Sequence, residues 1–339
     1  MTLKEVPEIL AKWADDWGRD PLLVQGPGAN LSAKDGDLMW IKASGSRLDH
    51  KSEKRWTLVN WKACQKALPA PASAPAPVPV PAPVPVPASA PGPQAEAKYF
   101  DLVKDAALKP HMPRPSMELG MHSVLPHKYV VHLHSLATIL LAAIDKTNPL
   151  FCELTKPIKD HGFAIHQIPA MRPGLALTWA ISRQVNPASV VYLLANHGVV
   201  WASDCEKTLA GALDSFEIAA ANSLNFALFP YPNVVTQSDL LTCDFQSWPQ
   251  FHWHVAPLFP DFAVFFPDPG NQPSLTNRVI SVQTSMAHRD ASELIFAQAL
   301  VGTVAKIIDA EVVLPEEIAS YVANMKLEQL RRAKNFGGS

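Results

Sequence analysis

The sequence predicts an α/β fold in which helices cover a central sheet. Three observations predict it. From about residue 115 onward, short apolar runs of strand length alternate with segments of helical period. Hydrophobic residues make up 48% of the 339 residues and charged ones only 18%, enough for a large core. The 29 basic and 31 acidic side chains nearly cancel, so no electrostatic footprint for nucleic acid or an anionic membrane is expected.

Taken in order, residues 4–17 place Val6, Ile9, Leu10, Trp13 and Trp17 at helical spacing, an amphipathic opening helix. QGPGANLSAKDGD (25–37) reads as a glycine-bearing turn, and LMWIKAS (38–44) as a short strand ending at Ser44-Gly45. Residues 69–94 carry 11 prolines in 26 positions. Alternating proline removes backbone donors and favours polyproline II, so neither strand nor helix is expected there. The segment reads as a surface insertion or semi-rigid spacer, with a proline-reading partner as the alternative.

Beyond it, PSMELGMHSVL (115–125) reads as a helix with proline in its first turn and KYVVHLHS (128–135) as a strand. LATILLAAID is a helix, FAIHQIP a strand, GLALTWAISRQV a helix, and SVVYLLANHG a strand turning sharply at Gly198. VVWAS is a short strand and residues 205–228 form a long helix. After about residue 230, FAVFF (262–266) reads as a strand, ELIFAQALVGTVAKII as a helix, and LEQLRRAKNF as a basic helical tail.

Cys64, Cys152, Cys205 and Cys243 form no C-x-x-C pair and read as reduced thiols. The N-terminal MTLKEVPEILAKWADDWG carries acids throughout and lacks an apolar h-region, so no secretion signal is expected. Apolar runs such as LATILLAAI are far too short to span a bilayer. The expectation is a cytoplasmic protein without membrane or nucleic-acid partners.

The chemistry-bearing residues are histidines. His132 and His134 stand two apart, so a strand would send both to one face and Val131 and Leu133 to the other. His197 ends an apolar strand just before Gly198. Three neutral imidazoles with one position open would suit zinc or a similar divalent ion. The pair alone equally fits two hydrogen-bonded structural histidines, and His252 and His254 repeat the spacing without an obvious third ligand. His122 and His127 are expected at the helix end and the following turn, His161 and His166 on the surface or in the core. Glu118 by itself fits a solvated or capping helix residue.

GPGANLS, IKASG, PSMELGMH, HLH and NHG occur in this order over most of the chain and together resemble the class II aldolase/adducin family. QGPGANLSAKDGDLMWIKASGSRLDH and PLFPDFAVFFPDPG are similar to the aldolase half of bifunctional rhamnulose-phosphate aldolase/short-chain dehydrogenase proteins. No glycine-rich dinucleotide fingerprint occurs in these residues, and the dehydrogenase half is expected to be absent.

The resemblance implies a three-layer α/β/α fold with a central, mostly antiparallel sheet, plus a C-terminal α/β extension. Residues 1–228 would form the aldolase/adducin-like domain, with 69–94 as its insertion, and 229–339 an extension of the same module. It implies one divalent ion per chain on His132, His134 and His197, zinc being expected and manganese, cobalt or iron open. Glu118 would be the catalytic acid–base, and Asn30, Ser44, Gly45 and Ser116 would line a phosphate pocket, with Gly28 supplying its turn. Backbone N–H groups of such a turn can gather around a phosphate.

The implied activity is reversible aldol cleavage of a ketose or ketose phosphate, its charge held as a metal-stabilised enediolate. Epimerisation or dehydration on the same site, or an adducin-like interaction module without catalysis, are the alternatives. A homotetramer is implied too, with an acid from a neighbouring subunit that none of the five tyrosines can be assigned to. Compact members carry Gly-Asn and Ser-Ser-Glu where this chain has Ala29-Asn30 and Ser116-Met117-Glu118, and 71 positions separate Gly45 from Ser116. Met removes one hydroxyl donor, so both a phosphorylated and a non-phosphorylated substrate stay open.

Overall fold

In a computed structural model of the chain, residues 5–71, 91–267, 272–325 and 329 are described. The opening helix α1 (Glu8–Trp17) starts after Pro7 and buries Leu10, Trp13, Ala14 and Trp17. Strands β1 (Asn30–Asp35), β2 (Leu38–Lys42) and β3 (Trp56–Asn60) form an antiparallel meander, followed by α2 (Trp61–Ala67) and α3 (Pro93–Asp105). Then come α4 (Leu119–Val124), β4 (Tyr129–Leu133), α5 (Leu136–Ala143), α6 (Pro149–Asp160), β5 (Ala164–Ile168), α7 (Leu175–Ser182), β6 (Val190–Leu194), β7 (Gly198–Ser203) and α8 (Glu206–Ser223).

The central sheet has the order β3-β2-β1-β4-β7-β6-β5 and only the β5–β6 pair is parallel. Alternation decides which side chains meet which helices. Leu31, Ala33, Val131, Leu133, Val199 and Trp201 join the main core with α1, α5, α6 and α8. Met39, Ile41, Val130, Val200 and Ala202 face the other way, onto clusters built with α3, α4 and α7. The sheet is therefore sandwiched between two helical layers, as the resemblance implies.

The C-terminal region adds β8 (Asn233–Gln237), β9 (Leu240–Asp244), α9 (Pro260–Phe265), β10 (Ser274–Thr276), β11 (Val279–Gln283), α10 (His288–Ile307) and α11 (Glu316–Asn324). Its strands make a separate antiparallel sheet, β10-β11-β9-β8. Its apolar residues, from Leu241 to Val322, belong to the same buried cluster as Leu10 and Trp13. Among the described residues no helix is long and apolar enough to cross a membrane, and the four cysteines are free thiols.

Four sequence expectations change. QGPGANLSAKDGD is not all turn, because its second half is β1, a strand whose inward polar side chains hide the alternation. FAVFF is not a strand but most of α9: Pro260 at the first helical position and Asp261 in the first turn start a helix there. PSMELGMHSVL is helical only from Leu119, and Glu118 occupies the N-cap position. In the proline-rich segment, Pro93 and Gln94 open α3, where a missing N–H costs nothing. Residues 72–90 of that segment lie outside the described residues, as does LEQLRRAKNF apart from Gln329.

One contact sets the geometry of the sheet's centre. Gly198 has φ 133°, and a Cβ there would sit 2.2 Å from the Leu133 carbonyl oxygen and 2.9 Å from His134 Cα. The β6–β7 turn thus lies directly against the end of β4. Gly198→Ala is expected to lower the free energy of urea unfolding by at least about 1–3 kcal/mol from the backbone conformation alone; an unchanged midpoint would contradict the packing described.

Candidate metal centre

The crossing at Gly198 brings His197, in the β6–β7 turn, to the end of β4. His132, the last but one residue of β4, pairs in register with Asn30 on one side and Val200 on the other. His134 lies one residue past the strand. The three ring centroids are 4.9, 5.0 and 5.1 Å apart, and one nitrogen of each ring lies within 4.8 Å of the others. All three histidines are buried. His252 and His254 sit 5.5 Å apart and belong to no such group among the described residues.

The outer nitrogen of two rings is already engaged. His132 Nδ1 is 2.9 Å from the Val199 carbonyl oxygen, so it donates and leaves Nε2 as a lone pair facing inward. His134 Nδ1 lies 2.5 Å from Asp261 Oδ2, and its Nε2 is 3.1 Å from His132 Nε2. Burial pushes the His197 imidazole down to about 3, so that ring is neutral. Burial also acts against protonation of His132, but the neighbouring Glu118 carboxylate brings it above the ordinary value.

Glu118 stands opposite the rings. Its carboxylate does not cap α4, since no side-chain cap bond forms there. Oε2 instead accepts from Asn30 Nδ2 at 2.6 Å, and the Glu118 N–H donates to Ser116 Oγ at 3.2 Å. Oε1 lies 3.3 Å from both His132 Nε2 and His197 Nε2 yet receives no well-directed hydrogen bond. Burial alone would raise this carboxyl, but His132, then His197 and His134, hold it well below the usual carboxylate range. Three imidazole nitrogens and one orphaned buried carboxylate oxygen aimed at one point fit a divalent cation.

Glu118 is held in place by a row of contacts from β1. Leu31 and Ala33 point into the main core, so Asn30, Ser32 and Lys34 point under α4. Asn30 meets Glu118, Ser32 Oγ lies 2.7 Å from His122 Nδ1, and Lys34 Nζ donates to the Leu125 and His127 carbonyls. From the opposite side Tyr99 Oη donates to the Met117 carbonyl at 2.6 Å and accepts from the Gly120 N–H at 3.0 Å.

Asn30, Ser44, Gly45 and Ser116 all line a cavity of about 30 Å³ beside Glu118, His134 and His197. Ser44 Oγ accepts from Arg114 at 2.6 Å, and buried Lys42 forms part of the wall. Gly28 closes the turn, its N–H donating to the Gln25 carbonyl at 3.2 Å, and it also leaves space beside the histidines. Its own φ is not in the left-handed region; a Cβ there would meet His134 Nδ1 at 2.7 Å and Asp261 Oδ2 at 2.9 Å. The turn conformation falls to Gly26, at φ 53°, and to Ala29, at φ 65° despite its methyl group.

Sequence reasoning missed four residues. Lys42 lines the cavity, Arg114 donates to Ser44 at its wall, Tyr99 braces the Glu118 loop, and Asp261 reaches in from α9. A lysine inside the apolar run LMWIKAS was a visible signal for the first, since buried charge is rare without purpose. The others depend on long-range folding. The C-terminal helices close the cavity with Pro260, Asp261, Val264 and Val322.

A model of the family described as the class II aldolase and adducin N-terminal domain matches residues 10–221. A Bacillus subtilis protein, the uncharacterized oxidoreductase YuxG, is 32% identical over 97 residues, which cover 28% of this chain and 13% of that protein. The N-terminal class II aldolase domain of a conserved Thermoplasma acidophilum protein aligns with 66% of this chain and 96% of its own, at 20% identity and a TM-score of 0.49. L-fuculose-1-phosphate aldolase from Thermus thermophilus aligns with 65% and 94%, at 15% identity and a TM-score of 0.39.

The polar row under α4 has a pH signature. Burial, aided by Lys34, pushes His122 down to about 3. An unfolded imidazole takes up a proton below about pH 6.5, so between about 6.5 and 3 the unfolded state binds more protons. Stability of the metal-free protein should therefore fall as pH drops through that window, with His197 acting in the same direction. Urea unfolding at pH 7 and 4.5 checks it, and in His122→Gln the loss should be smaller by roughly 2 kcal/mol.

Proposed function

Since the chain belongs to the class II aldolase and adducin family, we propose that it is a divalent-metal-dependent aldehyde-lyase. It reversibly cleaves a ketose or ketose phosphate to a three-carbon ketone fragment and an aldehyde. The observation that carries this reading is the convergence of His132, His134 and His197 on the Oε1 side of Glu118.

The three histidines would hold one ion, zinc being the expected one, and when bound it would supply Lewis-acid stabilisation of negative charge on the substrate oxygens. The protein's own groups do the rest. Asn30 fixes Oε2 of Glu118, so Oε1 is the atom that takes and returns the proton. Its depressed pKa keeps it ionised, as a proton acceptor must be, although it weakens the carboxylate as a base. Ser44 and Gly45, with Lys42 and Arg114 behind them, offer donors and positive charge to the anionic end of the substrate. Burial of Glu118, Asn30 and the three histidines excludes water and strengthens the contacts among them.

The cavity is well below the roughly 300 Å³ of an ordinary small-molecule pocket. Binding a ketose therefore requires the lining of the cavity to give way. Assembly as a homotetramer belongs to the same reading and is checked by light scattering.

An interaction module without catalysis would have no use for a buried carboxylate facing three imidazoles. Elemental analysis of the purified protein should give about one divalent ion per chain, lost in His132→Ala with the fold retained by circular dichroism. A metal-free, well-folded wild type would favour the module. A screen of ketoses and ketose phosphates for aldehyde release should find an active substrate. Glu118→Gln should then lower turnover by roughly 10²–10⁴ while keeping the ion. Unchanged turnover would remove Glu118 from the mechanism, and isomeric or dehydrated products would redirect the assignment to epimerase or dehydratase.

A further inference from the structure

We propose that Asp261 is a positioning residue of the metal centre: its carboxylate holds Nδ1 of His134 and so aims Nε2 of that ring at the ion. The inference rests on the metal-dependent reading above and extends it to a residue outside the 10–221 span that the family model matches.

Asp261 lies in the first turn of α9 and is 3% exposed; its Oδ2 lies 2.5 Å from His134 Nδ1, an ion-pair contact, and like Glu118 Oε1 it receives no well-directed hydrogen bond. An imidazole whose Nδ1–H donates to a carboxylate must present its lone pair at Nε2. That atom is the one found 3.1 Å from His132 Nε2, inside the cluster. A carboxylate partner also makes the ligand more basic than a carbonyl would.

Two further observations point to a built arrangement. Gly28 is placed where any side chain would collide with both members of the pair, at 2.7 Å from His134 Nδ1 and 2.9 Å from Asp261 Oδ2. The chain leaves room for the contact on the far side of the site. His132 has the parallel support from the Val199 carbonyl, at 2.9 Å. That support comes from the neighbouring strand of the sheet. His134 lies past the end of β4, and its ring is held by Asp261 from the C-terminal region.

The bland alternative is that Asp261 is an acid near a helix start, where it favours the N-terminal dipole. The two roles separate in metal binding. The full chain is stripped with a chelator and titrated with zinc against a chromophoric competitor. Asp261→Ala should bind zinc roughly 10–100-fold more weakly than wild type. Asp261→Asn should lie between the two, because its amide oxygen can accept from Nδ1–H but carries no charge. Cobalt loaded in place of zinc should show a changed visible spectrum in Asp261→Ala.

A lower melting temperature with wild-type zinc affinity and an unaltered cobalt spectrum would overturn the proposal and leave the helix-start role. If Asp261→Ala does not fold, Asp261→Asn carries the test: weakened zinc binding supports the proposal and wild-type affinity overturns it. If the wild type itself takes up no ion, the metal-dependent reading fails and this inference falls with it. Equal affinity in wild type and variants removes the inference alone.

Discussion

A carboxylate removed from water must be met by donors or positive charge, and Glu118 is the carboxylate around which this fold is arranged. Asn30 and the polar face of β1 hold one oxygen; two imidazoles approach the other. Tyr99 and Ser116 fix the backbone on which it stands. None of these groups could be moved independently. β1 must turn its polar residues toward α4, and the β6–β7 turn must lie close enough on β4 for His197 to reach, which Gly198 permits.

The C-terminal region takes part in that solution. Arg47, just past the Ser44-Gly45 loop, forms a paired contact with Glu293 of α10 at 2.8 and 2.9 Å and also meets Asp290. Although burial works against its charge, these acids hold the guanidinium protonated beyond its ordinary range. Glu293 in turn accepts from the Gly26 N–H at 2.8 Å. Both loops beside the cavity are therefore fastened to one helix of the added region. A buried ion pair of this kind contributes little net stability but fixes geometry through its fork-shaped hydrogen bonds. With Asp261 behind His134, the region positions the centre from two directions.

Much of the site was legible in the chain because its signals are local. H-x-H places two imidazoles within reach of one ion, NHG marks a strand ending in a turn, and five short motifs in order resemble one family. What was not legible has physical reasons. NLSAKD hides a strand because its inward side chains are polar, serving Glu118, His122 and two carbonyls instead of packing. FAVFF, short and apolar, fits strand and helix equally by period, and the Pro260-Asp261 start decides for the helix. Gly28 closes a turn, as its setting suggests, but what requires glycine there is space for His134 and Asp261, a tertiary contact that no local pattern shows.

By itself the sequence determined the α/β class, the order of most elements, the set of imidazoles able to share an ion and the carboxylate to stand with them. The first three follow from periodicity and side-chain chemistry, which a chain carries wherever it is placed; Glu118 as their companion was implied only by the family resemblance, since by itself it fits a solvated or capping helix residue. Only the tertiary structure decided that His197 reaches His132, that Glu118 turns away from its own helix, that Asp261 and Lys42 join the cavity, and that Arg114 bonds to Ser44 at its wall. Those facts depend on contacts between residues 42 to 261, far apart in the chain, and such distances are set by packing and close approach, for which no local pattern exists.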